Sequence, residues 1–374
     1  MKIVFIGCRD IKLLGGIESY MTNLAAELVK LGHEPIIYCE SNRKSIEEHN
    51  GIKVIHYKAP KSHFICKPWI GLKATLRTLV KEKNVSIIHY NAWAPSIWCF
   101  LPRMFRKKSL MQGHGLEWQR SKFSPRQQKI IKFMEKVTAY MNQHLIMCSE
   151  SQTRYFKEKY NKNATTIPTA VNMPAAQGKN ESATLAKLGL QPQKYFLFMA
   201  RLVQDKNPDY LIKGFKAANY GNMKLVIAGS NDADQEYVEK LHKMADGNED
   251  IVFTGAIYGD EKDAILRNAY TFCIPSTIEG LSIVLLEAMS YNLPVIASDI
   301  DANRELLDND AVWVRPENAE DISKAIEFCI ENKETIDKYK TTNYNKVVEN
   351  YTWDKVAKKY IEYLKSIGVK QLQQ

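Results

Sequence analysis

Short apolar runs alternate with amphipathic stretches along the whole 374-residue chain. In the first half, runs rich in β-branched and aromatic residues at Lys2–Gly7, Glu34–Cys39, Lys53–Tyr57, Ser86–Tyr90, Ser109–Gly113 and His144–Cys148 predict strands. Between them, apolar residues at three- and four-residue spacing predict helices such as Ile17–Leu31 and Gly71–Glu82. Near-continuously apolar strands separated by amphipathic helices are what a parallel sheet covered on both faces requires.

The pattern stops at the polar stretch Met173–Ser182, which contains Pro174, Gly178, Lys179 and Asn180, and then restarts. Strands are predicted at Tyr195–Ala200, Lys224–Ala228, Ile251–Thr254, Thr271–Ile274, Pro294–Ala297 and Ala311–Val314, again with helices between. The reading is therefore an α/β chain of two Rossmann-like, doubly wound domains, residues 1–175 and 183–350. The tail, residues 351–374, alternates apolar and basic residues at helical spacing over Thr352–Ile367, and it is expected to pack back on the first domain as a closing helix. Two such sheets would turn the carboxyl ends of their strands toward a shared crevice, where open α/β folds bind ligands.

Composition narrows this picture. Apolar residues make up 45% of the chain and charged residues 25%, as in soluble globular proteins. The opening run in MKIVFIGCRD breaks after about six residues, too short for a signal-peptide core, and no run of about eighteen apolar residues offers a membrane span. Seven scattered cysteines without C-x-x-C or metal spacing read as reduced thiols in a cytoplasmic protein. The net charge of +10 is unevenly spread. Residues 1–175 carry 28 Lys and Arg against 12 Asp and Glu, a balance of +16, whereas the remainder carries 24 against 30, a balance of −6. A field of that size attracts an anionic membrane, a nucleic acid or a phosphorylated substrate.

Candidate chemistry follows the strand ends. After the first strand, Leu14-Gly15-Gly16-Ile17-Glu18-Ser19 opens a helix; paired glycines let a ligand approach the backbone, and free amides at a helix start favour an anion. At the first strand of the second domain, Arg201 leaves the strand end and Lys206 follows five residues on, a fork and a point charge suited to a diphosphate. The richest segment runs from Ser276 to Met289. Gly280, Leu281 and Ser282 are expected to begin a helix whose amides meet a phosphate. Glu279 and Glu287 stand eight apart, about two helical turns, as paired acceptors for sugar and ribose hydroxyls. His114, between Gly113 and Gly115, lies just beyond a first-domain strand.

These residues carry a family resemblance that spans nearly the whole chain. GGIESYMTNLAAELVKLGHE, ARLVQDKN, EGLSIVLLEAMSYNLPVIASD and YTWDKVAKKY resemble, in order and spacing, the motifs of the retaining glycosyltransferases of family 4, which have the GT-B fold. The resemblance implies that Glu279 and His114 meet the donor sugar, Glu287 the ribose, Arg201 and Lys206 the diphosphate, and Gly15 and Gly16 the distal phosphate. The extension HGLEWQR is similar to bacterial transferases that build capsule and other cell-surface polysaccharides, which places Glu117 and Trp118 on the acceptor side. The partners implied are a nucleotide-sugar donor and a glycan or lipid-linked acceptor, with no nucleic acid.

Two departures stand out. Where the family often has P-N-G-V-D, this chain reads Pro168-Thr169-Ala170-Val171-Asn172, and Ala170 adopts positive φ less cheaply than glycine. Where a G-x-G is frequent, Gly229-Ser230-Asn231 stands instead. No D-x-D pair is placed to hold magnesium, so no metal and no cofactor is expected, and Arg201, Lys206 and helix amides are left to neutralise the leaving diphosphate. Aromatics interleave with basic residues at Ser62–Trp69 and from Trp98, Phe100 and Phe105 to Arg106, Lys107 and Lys108, a mixture suited to docking on an anionic bilayer from the cytoplasmic side. The rival readings are a nucleotide-sugar epimerase on a similar fold and a non-enzymatic module that binds nucleic acid or another anion.

Overall fold

The computed structural model describes residues 1–370 other than 14, 43, 61, 120–122, 177–179 and 232–233. Two units emerge, Met1–Ala170 with Trp353–Gln374, and Val171–Thr352. Gly178 and Lys179 of the expected linker, Leu14 of the glycine loop and Arg120 of the HGLEWQR segment lie outside the described residues.

In the first unit the elements follow in the order β1 (Lys2–Cys8), α1 (Gly16–Lys30), β2 (Glu34–Ser41), β3 (Ser45–His49), β4 (Ile52–Lys58), α2 (His63–Lys81), β5 (Val85–Asn91), α3 (Phe100–Met104), β6 (Ser109–Gly113), α4 (Pro125–Met141), β7 (His144–Met147), α5 (Glu150–Tyr160) and β8 (Thr165–Thr166). They form one sheet in the order β3-β4-β2-β1-β5-β6-β7-β8, parallel except where β3 runs against β4. Strand β1 is buried along nearly its full length because both faces are covered. Phe5, Ile87 and Leu110 face α1, while Val4, Ile6 and Ile88 face Ala74 of α2 and Ile131 of α4.

In the first unit the structure departs from the predicted pattern at strands β3 and β8 and at the start of α2. Strand β3 was absent from the prediction because SIEEH is polar and mostly exposed, an edge strand with no apolar period to read. The predicted helix Gly71–Glu82 starts eight residues late: α2 runs from His63 straight through Pro68. A proline costs a helix one amide bond, but burial of Cys66 and Ile70 on either side of it holds the turn in place.

The second unit contains β9 (Tyr195–Met199), β10 (Lys224–Ala228), α6 (Gln235–Ala245), β11 (Ile251–Gly255), α7 (Gly259–Asn268), β12 (Thr271–Ile274), α8 (Ile283–Ser290), β13 (Val295–Ser298) and β14 (Val312–Val314) among its elements. Its sheet, in the order β11-β10-β9-β12-β13-β14, is wholly parallel, and apolar layers cover both faces. The chain returns to the first unit as α9 (Trp353–Ser366), which buries Trp353, Val356, Ala357, Tyr360 and Leu364 in the core shared with α1. At the boundary Ala170 is buried and carries no positive φ, so the position needs no glycine. All seven cysteines are free and buried.

Candidate functional site

In the second unit the strand order reverses between β9 and β12, its two central neighbours. Connections leaving such a pair diverge to opposite sides and open a crevice at the carboxyl ends, the ligand position of open α/β sheets. Arg201 follows β9, and Ser276 to Gly280 follow β12. Three bonds stitch the two loops together. Thr277 donates to the Asp205 carbonyl through its backbone N at 3.0 Å and its Oγ1 at 3.2 Å. Asn207, buried and held at φ 53°, donates from Nδ2 to the Pro275 carbonyl at 2.9 Å. Lys206, in the 3-10 turn Gln204–Lys206, is thereby set against the Glu279 carboxylate, and the two form a largely buried ion pair. Two residues assigned from the sequence to different parts of a donor, diphosphate and sugar, thus touch each other.

The helix behind Glu279 begins later than expected. Ser282 is the N-cap, its Oγ accepting from Leu285 N at 3.4 Å, and α8 starts at Ile283. A serine cap with extended backbone ends the loop there, so Gly280, Leu281 and Glu279 all precede the helix. The two-turn spacing drawn between Glu279 and Glu287 does not apply, since Glu287 alone is helical. Its own partner, missed in the sequence, is Lys262 of α7, whose Nζ lies 2.6 Å from Glu287 Oε1. No spacing rule links a lysine on one helix to a glutamate on the next, so only tertiary structure reveals the pair.

Beside Leu202, at the carboxyl ends of β9 to β11, lies a cavity of about 290 Å³ lined by Gly229, Ser230, Asn231, Phe253 and Thr254 among others. A Cβ on Gly229 would stand 1.9 Å from the Ala200 carbonyl oxygen, so this glycine is required even without a second one at position 231. Asn231 instead donates from Nδ2 to the Leu202 carbonyl at 3.1 Å and closes the loop from its side.

The first unit repeats the arrangement, with the reversal between β1 and β5. Gly7 has φ 124°, and a Cβ there would meet the Asn91 carbonyl oxygen at 2.5 Å, so glycine alone lets the two strand ends converge. Gly16 opens α1 and Gly15 caps it in extended conformation without a side-chain bond. Under this loop the buried Glu18 takes a forked pair of bonds from Arg9, Nε to Oε1 at 2.7 Å and Nη2 to Oε2 at 3.1 Å. Burial pushes the Glu18 carboxyl upward, but the Arg9 bonds and charge outweigh it and hold the group below its ordinary value. The sequence reading gave Arg9 no role.

Past β6, His114 is half-buried, its Nε2 3.0 Å from Asn91 Oδ1 and its ring edge-on to Tyr20 with centroids 4.9 Å apart. Tyr20 is fixed in turn by a bond from its hydroxyl to Gln112 Oε1 at 2.5 Å. Glu117 and Trp118 form a short 3-10 turn that is pinned from below. Trp118 Nε1 donates to Glu135 Oε2 at 3.1 Å, and this fully buried carboxylate also accepts from the hydroxyls of Tyr155 at 2.9 Å and Tyr160 at 2.6 Å. Lys132 Nζ lies over the Trp118 ring at 3.8 Å.

The basic triplet is not uniform. Arg106 is exposed at φ 55°, whereas Lys108 donates to the carbonyls of Ile367 at 2.7 Å and Gly368 at 2.5 Å and so brackets the closing segment. Trp98, counted among the docking aromatics, turns its Nε1 to the Pro68 carbonyl at 2.7 Å. Trp98 is half-buried, while Phe105 of the same group is exposed.

Comparison with known proteins agrees with the two-unit α/β fold. Residues 14–173 match the family model described as Glycosyltransferase Family 4, and residues 181–346 match that described as Glycosyl transferases group 1. The chain is 27% identical to an uncharacterised glycosyltransferase of Methanocaldococcus jannaschii over 95% of each chain. It is 25% identical to the O-antigen chain mannosyltransferase of Salmonella typhimurium over 61% of each. In fold it is similar to sucrose-phosphate synthase from Thermosynechococcus elongatus, with a TM-score of 0.83 at 18% identity and 98% of each chain covered. The chain belongs to the family 4, group 1 glycosyltransferases and has their GT-B fold.

Proposed function

We propose that this glycosyltransferase moves a hexosyl or deoxyhexosyl group from a nucleotide-sugar to a glycan or lipid-linked acceptor. The transfer proceeds with retention of configuration and without a metal ion, in the building of bacterial cell-surface polysaccharide. The observation that carries the reading is the pair of carboxylate–lysine contacts at the second unit's switch point, Lys206 with Glu279 and Lys262 with Glu287. Carboxylates accept from vicinal hydroxyls, and lysines and Arg201 meet phosphate oxygens. A nucleotide-sugar presents both kinds of group. The Salmonella relative's place in O-antigen synthesis supports the polysaccharide context.

In this mechanism the bond from C1 of the sugar to the diphosphate breaks and an acceptor oxygen bonds C1 on the same face. The acceptor proton passes to the departing phosphate. Arg201, Lys206 and the amides at the start of α8 carry the growing charge, and no ion or cofactor is required. Glu279 and His114 position the sugar, and Glu287 holds the ribose. The cavity beside Leu202 takes the base side of the nucleotide. Acceptors would be met on the first unit near Glu117 and Trp118.

The enzyme would work at the cytoplasmic face of a membrane. Helix α2 exposes Ile65, Trp69, Leu76 and Val80 at helical spacing, with Lys73 over the Trp69 ring, and α4 exposes Ile130, Phe133, Tyr140 and Met141 among lysines. Both helices pack their inner sides on one face of the first sheet, so these outer faces look the same way. Among the described residues no helix is long and apolar enough to cross a membrane. The deciding experiment is incubation with a panel of nucleotide-sugars, scored by donor hydrolysis and by the anomeric configuration of any transfer product. Turnover of one donor with an inverted product overturns retention, and turnover of none overturns the donor class. An epimerase would convert the free nucleotide-sugar instead of releasing nucleoside diphosphate.

A further inference from the structure

Glu135 lies on α4 and is fully buried. Among the described residues four donors converge on its carboxylate. Oε1 accepts from the hydroxyls of Tyr155 at 2.9 Å and Tyr160 at 2.6 Å and from Lys159 Nζ at 3.4 Å, and Lys159 also bonds the Tyr155 hydroxyl. Those three residues all belong to α5. Oε2 instead accepts from Trp118 Nε1 at 3.1 Å, across to the loop that follows β6. Packing alone does not call for a carboxylate here, since a buried ion pair is often replaced by apolar side chains without loss of stability. The same helix already places Ile131 and Ala139 in the apolar cluster of the first unit, beside Phe156 and Tyr160 of α5. What the carboxylate adds is direction. The loop it holds is tied from beneath at a second point, where the buried Trp93 donates from Nε1 to the Gly115 carbonyl at 3.2 Å. Trp118 is half-buried, with its N–H committed inward, and what it has left to offer a ligand is its ring. The exposed Lys132 holds its Nζ 3.8 Å above that ring. A cation on an exposed aromatic is held weakly, so a ligand that buries apolar area against the indole displaces it.

We propose that Glu135 is a positioning residue for saccharide recognition on the first unit: it takes up the indole N–H of Trp118, so that the ring is held in one orientation and packs against the C–H face of an acceptor sugar. The indole then gives the ligand no hydrogen bond. At this point the acceptor is read by apolar contact and shape, the strengths of an aromatic ring. An indole free to turn would adopt the competent orientation only part of the time, and the apparent affinity falls by that fraction. The place of the sugar at Trp118 rests on the function proposed above; the bond to Glu135 does not depend on it.

The bond is read by NMR in the full chain with labelled tryptophan, Trp118→Phe identifying its signal among the six tryptophans. In the unmodified chain the Trp118 Nε1–H is protected from exchange with water. In Glu135→Leu that exchange quickens about tenfold or more, and in Glu135→Gln, which keeps an amide oxygen, much of the protection remains. The probes for the sugar are the methyl glycosides of glucose, mannose, rhamnose and N-acetylglucosamine, with affinity measured by saturation-transfer NMR. At least one of them shifts the Trp118 ring signals of the unmodified chain. Its affinity falls about tenfold in Glu135→Leu and recovers in Glu135→Gln. Tyr160→Phe takes a bond from the same carboxylate but leaves that of Trp118, so it lowers the melting temperature and leaves glycoside affinity unchanged; a merely structural Glu135 would not separate the two. Should Glu135→Leu fail to fold, Trp118→Phe cuts the same bond from the other side and carries the same loss of affinity. Indole exchange unmoved in the folded Glu135 variants, or no glycoside reaching Trp118, overturns the inference. If the glycosides bind as expected but no nucleotide-sugar is turned over, the positioning stands and it is the transferase reading that fails.

Discussion

Lys262 Nζ and Glu287 Oε1 lie 2.6 Å apart, joining two consecutive helices of the second unit at the residue assigned to the ribose. The same motif recurs at Lys206 and Glu279, between the loops after β9 and β12. Each of the two carboxylates is thus paired with a lysine, and under the proposed function donor hydroxyls would replace the lysine at the carboxylate and free it to face phosphate.

The first prediction uses that coupling. Lys262→Met leaves Glu287 as an uncompensated carboxylate beside the nucleotide, so nucleoside-diphosphate affinity falls; Glu287→Gln alone also weakens it by removing a strong acceptor. Because the two side chains touch, the double variant should lose less than the sum of the singles, with a coupling of about 0.5–3 kcal/mol. Calorimetric titration of the four proteins checks this, and strict additivity would separate the pair from the site.

Arg201 and Lys206 extend the argument to the diphosphate. Charge-assisted bonds contribute about 1.5–3 kcal/mol each, so either change to alanine should weaken nucleoside-diphosphate binding roughly tenfold or more, at about 1.4 kcal/mol per factor of ten. Lys206→Ala additionally strands the buried Glu279, so it should also lower the melting temperature. Unaltered affinity in both variants would remove them from the phosphate site.

Much of this was legible from the chain alone, for identifiable reasons. The buried parallel strands announce themselves because apolar residues fill both faces, as in FIG of β1 or FLFM of β9. Chemistry at strand ends is legible because the fold places ligands there, which singled out Arg201, Glu279 and His114. What the sequence hides is whatever tertiary packing decides. The start of α8 is set by the Ser282 cap, and the polar edge strand β3 has no apolar period. Asn91, Lys262 and Glu135 become candidates only through partners at sequence separations of 23, 25 and 17.

Metal independence is a third prediction, drawn from the lack of a D-x-D pair placed to hold magnesium and from the two cations Arg201 and Lys206. Transfer activity should persist in excess EDTA. Loss on chelation that magnesium or manganese restores would refute it.

Stability should fall on mild acidification. Burial holds His89 well below its ordinary value of 6.5, and it lowers His33 and His144 as well. A base whose native pKa is depressed binds its proton more readily in the unfolded chain. Its contribution is therefore present above pH 6.5 and is lost as the pH drops below that toward the native value. For the fully buried His89 this adds a slope of about 1.4 kcal/mol per pH unit in that window. His89→Gln cannot protonate and should flatten the dependence by one such slope in denaturant titrations between pH 6.5 and 5, whereas an unchanged slope would mean that His89 is not held neutral.

The last prediction concerns the bilayer. Residues 1–175 carry the +16 balance, and the structure shows which apolar groups accompany it: Val80 is 80% exposed and Phe133 65% exposed, on helices that share one face of the first sheet. Apolar side chains flanked by lysines bind an interface by two forces, burial of apolar area and attraction to anionic headgroups. The second contributes about 1 kcal/mol per basic residue and fades over a Debye length of roughly 8 Å at physiological salt. Binding to vesicles should accordingly rise with phosphatidylglycerol content and fall with salt. Lys73→Glu with Lys129→Glu should remove the lipid-charge dependence, and Val80→Ser with Phe133→Ser should weaken binding even at low salt. Neutralising Lys108 should instead loosen the Ile367–Gly368 segment it brackets, with a drop in melting temperature and little effect on vesicles. All of these variants should keep their nucleoside-diphosphate affinity, since the carboxylate–lysine pairs belong to the other unit. If the wild-type chain ignores anionic vesicles at low salt and uses a soluble glycan as well as a lipid-linked one, the outer faces of α2 and α4 do not meet a membrane.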